Sequence, residues 1–275
     1  MTFSVNTNAA ALSALQNLNK TATGLERVQT EINTGYKVAS SKDNAAVFAI
    51  AQSLRADVAG FRAATGSIDR ALSTIDVAIA AGEAVSDLLI EMKEKAVAAK
   101  DSGLDTASRS SLNNDFTQLR SQISSIVDNA EFNGTNAVAA GGDDIVAITN
   151  DTGSSTFTIQ AQNLSLSGTV VTLTSSQSIG SATAAGSVVT AIESSIANVN
   201  DSLSSLGAGA RRLELQKEFV NKLKDTVEVG IGNLVDADMA KASANLQSLQ
   251  VKQQLGLQAL SIANQAPQAV TSLFQ

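Results

Sequence analysis

The chain has 275 residues, a formal net charge of −7, 3% aromatic residues, one proline, and neither cysteine nor histidine. Without cysteine there is no disulfide framework, and without histidine there is no imidazole base, Ser-His-Asp triad or His-ligated zinc. No enzyme is expected, and no catalytic residue, cofactor or metal site is indicated. An acidic, aromatic-poor chain without a basic patch argues against nucleic acid, and the absence of about 18 consecutive apolar residues argues against membrane insertion.

Residues Met1 to Asn19 and Gln253 to Gln275 carry no charged side chain, yet both stretches mix Leu, Ile, Val and Ala with Asn, Gln and Ser at helical spacing. Charge normally keeps chain ends solvated, so two uncharged amphipathic ends point to self-assembly. Met1 to Asn6 has neither the basic nor the apolar region of a signal peptide. The expectation is a cytosolic protein, or one exported by a signal-peptide-independent route.

In chain order, the first helix is striped by Leu12, Leu15, Leu18, Leu25, Val28 and Ile32, and Gly35 suits its C-terminal cap. Ser40 and Asp43 read as an N-terminal cap and acidic first turn. A long helix from about Asn44 to Lys100 carries Leu54, Val58, Phe61, Ile68, Leu72, Ile75 and Ile79 at heptad spacing, and its stripe restarts as Val85, Leu89, Met92, Ala96 and Ala99. The break implies a phase slip near Gly82. Its length would be about 85 Å at about 1.5 Å per residue. After a turn at Asp101–Gly103 a shorter helix bears Leu112, Phe116, Leu119, Ile123 and Ile126, ending before the Asn133-Gly134 turn signal.

Between about Asn136 and Ala185 charge nearly vanishes, and Ile145, Ala147, Phe157, Ile159, Val171 and Leu173 alternate with polar residues. This predicts one or two β-hairpins. Helix resumes near Gly186 with Val189, Ile192, Ile196, Val199, Leu203, Leu206, Ala210 and Leu213. A last helix carries Leu234, Met239, Ala242, Leu246 and Leu249, and beyond Lys252 its apolar band widens to Leu255, Leu257, Leu260, Ile262, Val270 and Leu273. The fold class is mainly α. The expectation is a long antiparallel coiled-coil rod with a small β-hairpin insert and the N- and C-terminal helices paired at one tip.

Several stretches resemble bacterial flagellins. Thr34 to Ala46 (TGYKVASSKDNAA) is similar to their SSGLRINSAKDDAA stretch, and Asn6-Thr7-Asn8 with Asn17 to Lys20 resembles the NTN…NLNK opening. Phe132 to Thr135 resembles their FNGT turn, Leu206 to Ala208 and Asp236 to Asp238 their LGA and DAD positions, and Ala263 to Gln268 their ANQVPQ ending. The resemblance covers about the first 135 and last 70 residues and implies an extracellular flagellar filament subunit of the short type without large outer domains. It implies inner-core segments at 1–40 and 235–275, a surrounding helical domain at 41–135 and 186–234, and a β insert at 136–185.

The polymerisation residues so implied are Leu12, Leu15, Leu18, Leu246, Leu249, Leu255, Leu260, Ile262, Val270 and Leu273. Asn113, Asn114, Gln118, Arg120, Arg211 and Arg212 are candidate contacts between subunits, and Lys217, Lys222 and Lys224 either form a solvated face or pair with acidic neighbours. Ser165, Ser167, Thr169, Thr172, Thr174 and Ser176 are candidates for O-glycosylation. Implied partners are further copies of the chain, the flagellar export apparatus with an export chaperone, the filament cap and the hook–filament junction proteins. Glu91 and Lys95 stand where many flagellins have arginine and leucine in the segment sensed by a vertebrate toll-like receptor, so recognition is expected to be weak or absent. The alternatives are a hook–filament junction protein and a surface adhesin on the same frame.

Overall fold

The structure, a computed structural model, describes residues 7–271, with side chains described through Gln265. Five helices and two strands follow in the order α1 (Ala9–Thr34), α2 (Ala45–Ala99), α3 (Thr106–Asn129), β1 (Ile145–Ile148), β2 (Thr156–Ile159), α4 (Ala182–Val235) and α5 (Met239–Thr271). They divide into two compact units. One holds the residues up to Ala56 and from Thr226 onward, and the other is Asp57–Asp225. Both α2 and α4 contribute to each.

In the Asp57–Asp225 unit, α2 and α4 run antiparallel, as the Asp69–Lys217 and Lys93–Glu193 ion pairs require. The buried line of α2 is Phe61, Ala64, Ile68, Ala71, Ile75, Ala78, Gly82, Val85, Leu89, Met92, Ala96 and Ala99. Its steps alternate three and four without a break, so the phase slip expected at Gly82 does not occur. Small residues carry the stripe between the large ones, and Leu72 and Ile79 lie half-buried on its shoulder. Gly82 belongs to the seam because a Cβ there would stand 2.8 Å from a methyl of Leu203. The facing line of α4 is Ala185, Val188, Ile192, Ser195, Val199, Ser202, Leu206, Gly209 and Leu213. Its two serines are buried, and Ser195 Oγ donates to Ala191 O at 2.8 Å and accepts from Thr172 N at 3.0 Å. No buried side-chain polar atom lacks a partner among the described residues, as interiors demand.

α3 starts at Asp105, whose carboxylate accepts from Ser108 N at 2.6 Å. Two backbone hydrogen bonds, Phe132 N to Thr135 O and Thr135 N to Phe132 O, each at 3.0 Å, then close the expected turn, with Asn133 at φ 51° and Gly134 at φ 83°. β1 and β2 form one antiparallel hairpin in which Ile145 faces Ile159 and Ala147 faces Phe157. Of the one or two hairpins expected, one forms among the described residues: Val171 and Leu173 are buried, but in an irregular segment between β2 and α4. That segment is pinned by side chains rather than by a strand partner, with Asn113 Oδ1 accepting from Ile179 N at 2.8 Å and Arg120 donating to Gln177 O.

Candidate polymerisation surfaces

The terminal unit is built on α1 and α5. Asn8 caps α1, its Oδ1 accepting from Ala11 N at 3.0 Å while its Nδ2 donates across to Ala263 O at 2.7 Å. Leu18 meets Gly256, where a Cβ would stand 3.2 Å from Leu18 Cδ1, and Leu249 meets Gly24, where a Cβ would stand 3.6 Å away. Rising numbers on α1 face falling numbers on α5, so the two helices are antiparallel. The partner-facing line of α1 is Ala11, Ala14, Leu18, Thr21, Leu25, Val28 and Ile32, and that of α5 is Ala242, Leu246, Leu249, Gln253, Gly256, Leu260 and Ala263. Both lines keep heptad spacing. Within them only Val28 and Ala242 are fully buried.

At its far end α1 stops at Gly35, which takes φ 74° and sends its N–H to Glu31 O at 2.9 Å, a left-handed cap that glycine adopts without strain. The chain then crosses the end of α4. Lys37 N donates to Val235 O and Ala237 N to Gly35 O, each at 2.8 Å. The cap of α2 is Asn44, whose Oδ1 accepts from Val47 N at 3.1 Å, not Ser40. Asp43 instead closes the preceding loop, accepting from Ser40 N, Ser40 Oγ and Ala39 N. These bonds, first that from the Ser40 peptide, hold the Asp43 carboxyl below the usual aspartate range.

The ten apolar positions expected at the inner core separate into two groups. Leu18, Leu246, Leu249 and Leu260 face the partner helix. Leu12, Leu15, Leu255 and Ile262 point away and are 53%, 44%, 57% and 69% exposed, as are their neighbours Val251 and Leu257 at just over half. Val270 lies beyond the described side chains and Leu273 outside the described residues. Periodicity counted on large apolar residues missed Asn8, Gly24, Gln253 and Gly256. Gln253 and Gly256 become visible only when small and polar residues are admitted to the heptad, and Asn8 and Gly24 lie beside the α1 line rather than on it.

The other sequence candidates also divide. Asn113 and Arg120 are committed within the subunit to the irregular segment, and the Arg212 guanidinium lies over the Phe157 ring at 3.9 Å. Asn114, Gln118 and Arg211 are exposed. Lys217, Lys222 and Lys224 pair with Asp69, Glu218 and Asp225 of the same chain. Among the hydroxyls, Thr172 Oγ1 is taken by Ala191 O at 3.2 Å and Thr174 Oγ1 lies 3.3 Å from Ser176 Oγ. Ser165 and Thr174 are half-buried, whereas Ser167, Thr169 and Ser176 are exposed. Among the described residues no group of carboxylates is placed to hold a metal ion, and no helix is long and apolar enough to cross a membrane.

The pairing of helical N- and C-terminal regions has close counterparts. The family model for the bacterial flagellin N-terminal helical region matches residues 5–141, and that for the bacterial flagellin C-terminal helical region matches residues 189–274. The flagellin FljK of Caulobacter vibrioides is 47% identical over 272 residues, covering 99% of this chain and 98% of its own. A flagellin of Brucella melitensis is 33% identical over 281 residues and 99% of each chain. A candidate flagellar hook-associated protein from Vibrio parahaemolyticus shares the fold, with a TM-score of 0.57 at 14% identity over 70% of this chain and 100% of that one. With both terminal helical regions matched and full-length relatives at this identity, the chain belongs to the bacterial flagellins.

Proposed function

We propose that α1 and α5 are the part of this flagellin that becomes buried when subunits polymerise. As a flagellin the chain is a structural subunit of the flagellar filament. The observation that carries the finer reading is the row of leucines and isoleucine on the outward faces of two helices that have no charge over their distal halves. Solvated helices place charge on such faces, and an apolar band left open is a surface awaiting a partner. The inward seam supports this. Glycine, alanine, threonine and glutamine hold many of its positions, so the pair by itself buries little, and neighbouring copies would supply the rest. The test is electron microscopy of seeded growth with the full chain and a chain ending at Lys252. The full chain should extend seeds and the truncated one should not; equal growth would refute the inner-core role.

The remaining roles follow from that reading. The subunit would work outside the cell, reaching it through the flagellar export apparatus with an export chaperone, and would be added beneath a filament cap beyond the junction proteins. O-linked sugar, if attached to the insert, fits the exposed hydroxyls of Ser167, Thr169 and Ser176 best. An intact mass equal to the bare chain would remove that assignment. Glu91 is exposed and Lys95 half-buried on α2, opposite in character to the arginine and leucine of many relatives, which supports weak toll-like receptor recognition. Full activation of a reporter line by low protein concentrations would overturn it.

A further inference from the structure

The turn after α3 holds the only Asn-Gly pair in the sequence, Asn133-Gly134. Both residues are exposed. The two hydrogen bonds that close the turn belong to the peptide groups of Phe132 and Thr135. The peptide joining Asn133 to Gly134 lies outside that pairing and bonds to no group among the described residues, and neither does the Asn133 carboxamide. A Cβ added at Gly134 would meet nothing within 4 Å, so the space beside its nitrogen is open. Asn133 also borders a cleft of about 270 Å³ whose walls include Arg70 and Asp144, a polar setting suited to water. Asn129 is different although it too is exposed. Its carboxamide donates to Ser125 O at 2.6 Å, and the N–H of the residue after it, Ala130, goes to Val127 O.

A backbone nitrogen can attack the carboxamide of the residue before it through a five-membered ring. The Gly134 nitrogen gives its proton to water and forms a bond to Asn133 Cγ. The Cγ–Nδ2 bond breaks, and Nδ2 takes up a proton and leaves as ammonia. The product is a cyclic imide spanning Asn133 and Gly134. Water then adds to one of the two imide carbonyls and opens the ring. Opening at Cγ gives aspartate, and opening at the backbone carbonyl gives isoaspartate, with Gly134 joined through the side chain. The sum is asparagine plus water going to a carboxylate and ammonium, with no oxidant or reductant.

We propose that Asn133 is a self-modifying site, at which the folded subunit converts a neutral amide into a carboxylate and partly into isoaspartate. Isoaspartate lengthens the main chain by one carbon inside a turn held by two bonds of 3.0 Å. Asn136, immediately after the turn, clasps the end of α3. Its Nδ2 donates to Val127 O at 2.8 Å, and its Oδ1 accepts from Val138 N at 2.9 Å and Ala139 N at 3.0 Å. A longer turn displaces that clasp. The new carboxylate also stands near the C-terminal end of α3, close in sequence to Asp128 and Glu131, where negative charge is unfavourable. Both effects loosen the junction between α3 and the insert. The chemistry is independent of the filament reading, and one consequence rests on it: a subunit fixed in a filament outside the cell would carry its age in this turn.

The test keeps the full-length folded chain in one buffer over a pH series, followed by peptide mass mapping and methyl labelling with an isoaspartate methyltransferase. Asn133 should convert at least about tenfold faster than Asn129, because Gly134 has no Cβ to hinder ring closure and Ala130 has one. The rate should rise about tenfold per pH unit, as the fraction of deprotonated peptide nitrogen does. Asn133→Gln, which would need a larger ring, should take up no label at that position. The aged parent should exchange its Val138 and Ala139 amide protons faster than the fresh parent, and aged Asn133→Gln should not. If that variant folds poorly, the parent alone still decides. Conversion of Asn133 in denaturant but not in the folded chain, conversion no faster than at Asn129, or absence of the methyl label would overturn the proposal. Unchanged exchange at Val138 and Ala139 in labelled chain would overturn the loosening. None of these readouts needs polymerisation, so their failure leaves the filament reading intact, and failure of the chain to extend seeds leaves the chemistry at Asn133 intact.

Discussion

Leu255 and Ile262 offer the cleanest separation of folding from assembly. They are 57% and 69% exposed on α5, on the side away from α1. Complete burial of a leucine or isoleucine side chain contributes about 1.5–3 kcal/mol, so burying the part still open should give about 1–2 kcal/mol at each position and about 2–4 kcal/mol for the pair. The double substitution Leu255→Ser and Ile262→Ser should therefore raise the critical concentration for seeded growth by about 30- to 700-fold, at about 1.4 kcal/mol per tenfold. The monomer should be almost untouched, because neither side chain is buried in it. The assay is sedimentation of seeded filaments over a concentration series, with circular dichroism melting of the monomer as the control. Growth at the parental critical concentration would refute the claim that this face is covered in the polymer. A large fall in monomer melting temperature would refute the claim that it is open beforehand.

Three further outcomes follow from named contacts. Gly209→Val places carbon where Ile159 sits, since even a Cβ there stands 2.7 Å from its Cδ1, and should lower stability of the Asp57–Asp225 unit by about 1–3 kcal/mol in urea unfolding. Asn113→Ala strips the Ile179 N–H of its acceptor, costing about 1–3 kcal/mol, and should speed protease cleavage between β2 and α4; an unchanged cleavage rate would contradict the pinning. Asp105 has its carboxyl held below the usual aspartate range, first by the Ser108 peptide. A group whose folded pKa is depressed stabilises above its unfolded pKa and loses that contribution as pH falls through the folded value. The start of α3 should thus loosen only under acid, read as faster Ser108 amide exchange, and Asp105→Asn should show no such acid step.

Much of the frame was legible because large apolar residues recur at heptad spacing and because two turn signals have a mechanism. Gly35 ends α1 in the left-handed region, and Asn133-Gly134 makes the tight turn after α3. What stayed hidden has physical causes. Ala64, Ala71, Ala78, Ser195 and Ser202 fill buried seam positions, but their small or polar side chains carry no hydropathy signal, so a continuous stripe read as an interrupted one. Val171 and Leu173 alternate like strand residues, yet an irregular segment buries alternate side chains equally well when Asn113 and Arg120 satisfy its peptide groups. The apolar residues of α1 and α5 were found as a set. Their division into inward Leu18 and Leu249 and outward Leu12 and Leu255 needed the pairing geometry, because a sequence does not say which face its own chain will cover.

The β-hairpin is seated on two notches. Asp151 at its tip presses onto the bare backbone of Gly60, and Ile159 near its base lies over Gly209. Its place is thus defined by side chains that are missing as well as by those that grip it. A single added methyl at either notch would act as a shim, lifting the hairpin as a piece while the helical seam beneath stays closed. The Arg212–Phe157 stacking and the Ser67 hydroxyl that accepts from Ile148 N would then be stretched from one side. Shims of graded size at Gly60 would give a way to shift the hairpin in small steps without touching the terminal helices α1 and α5.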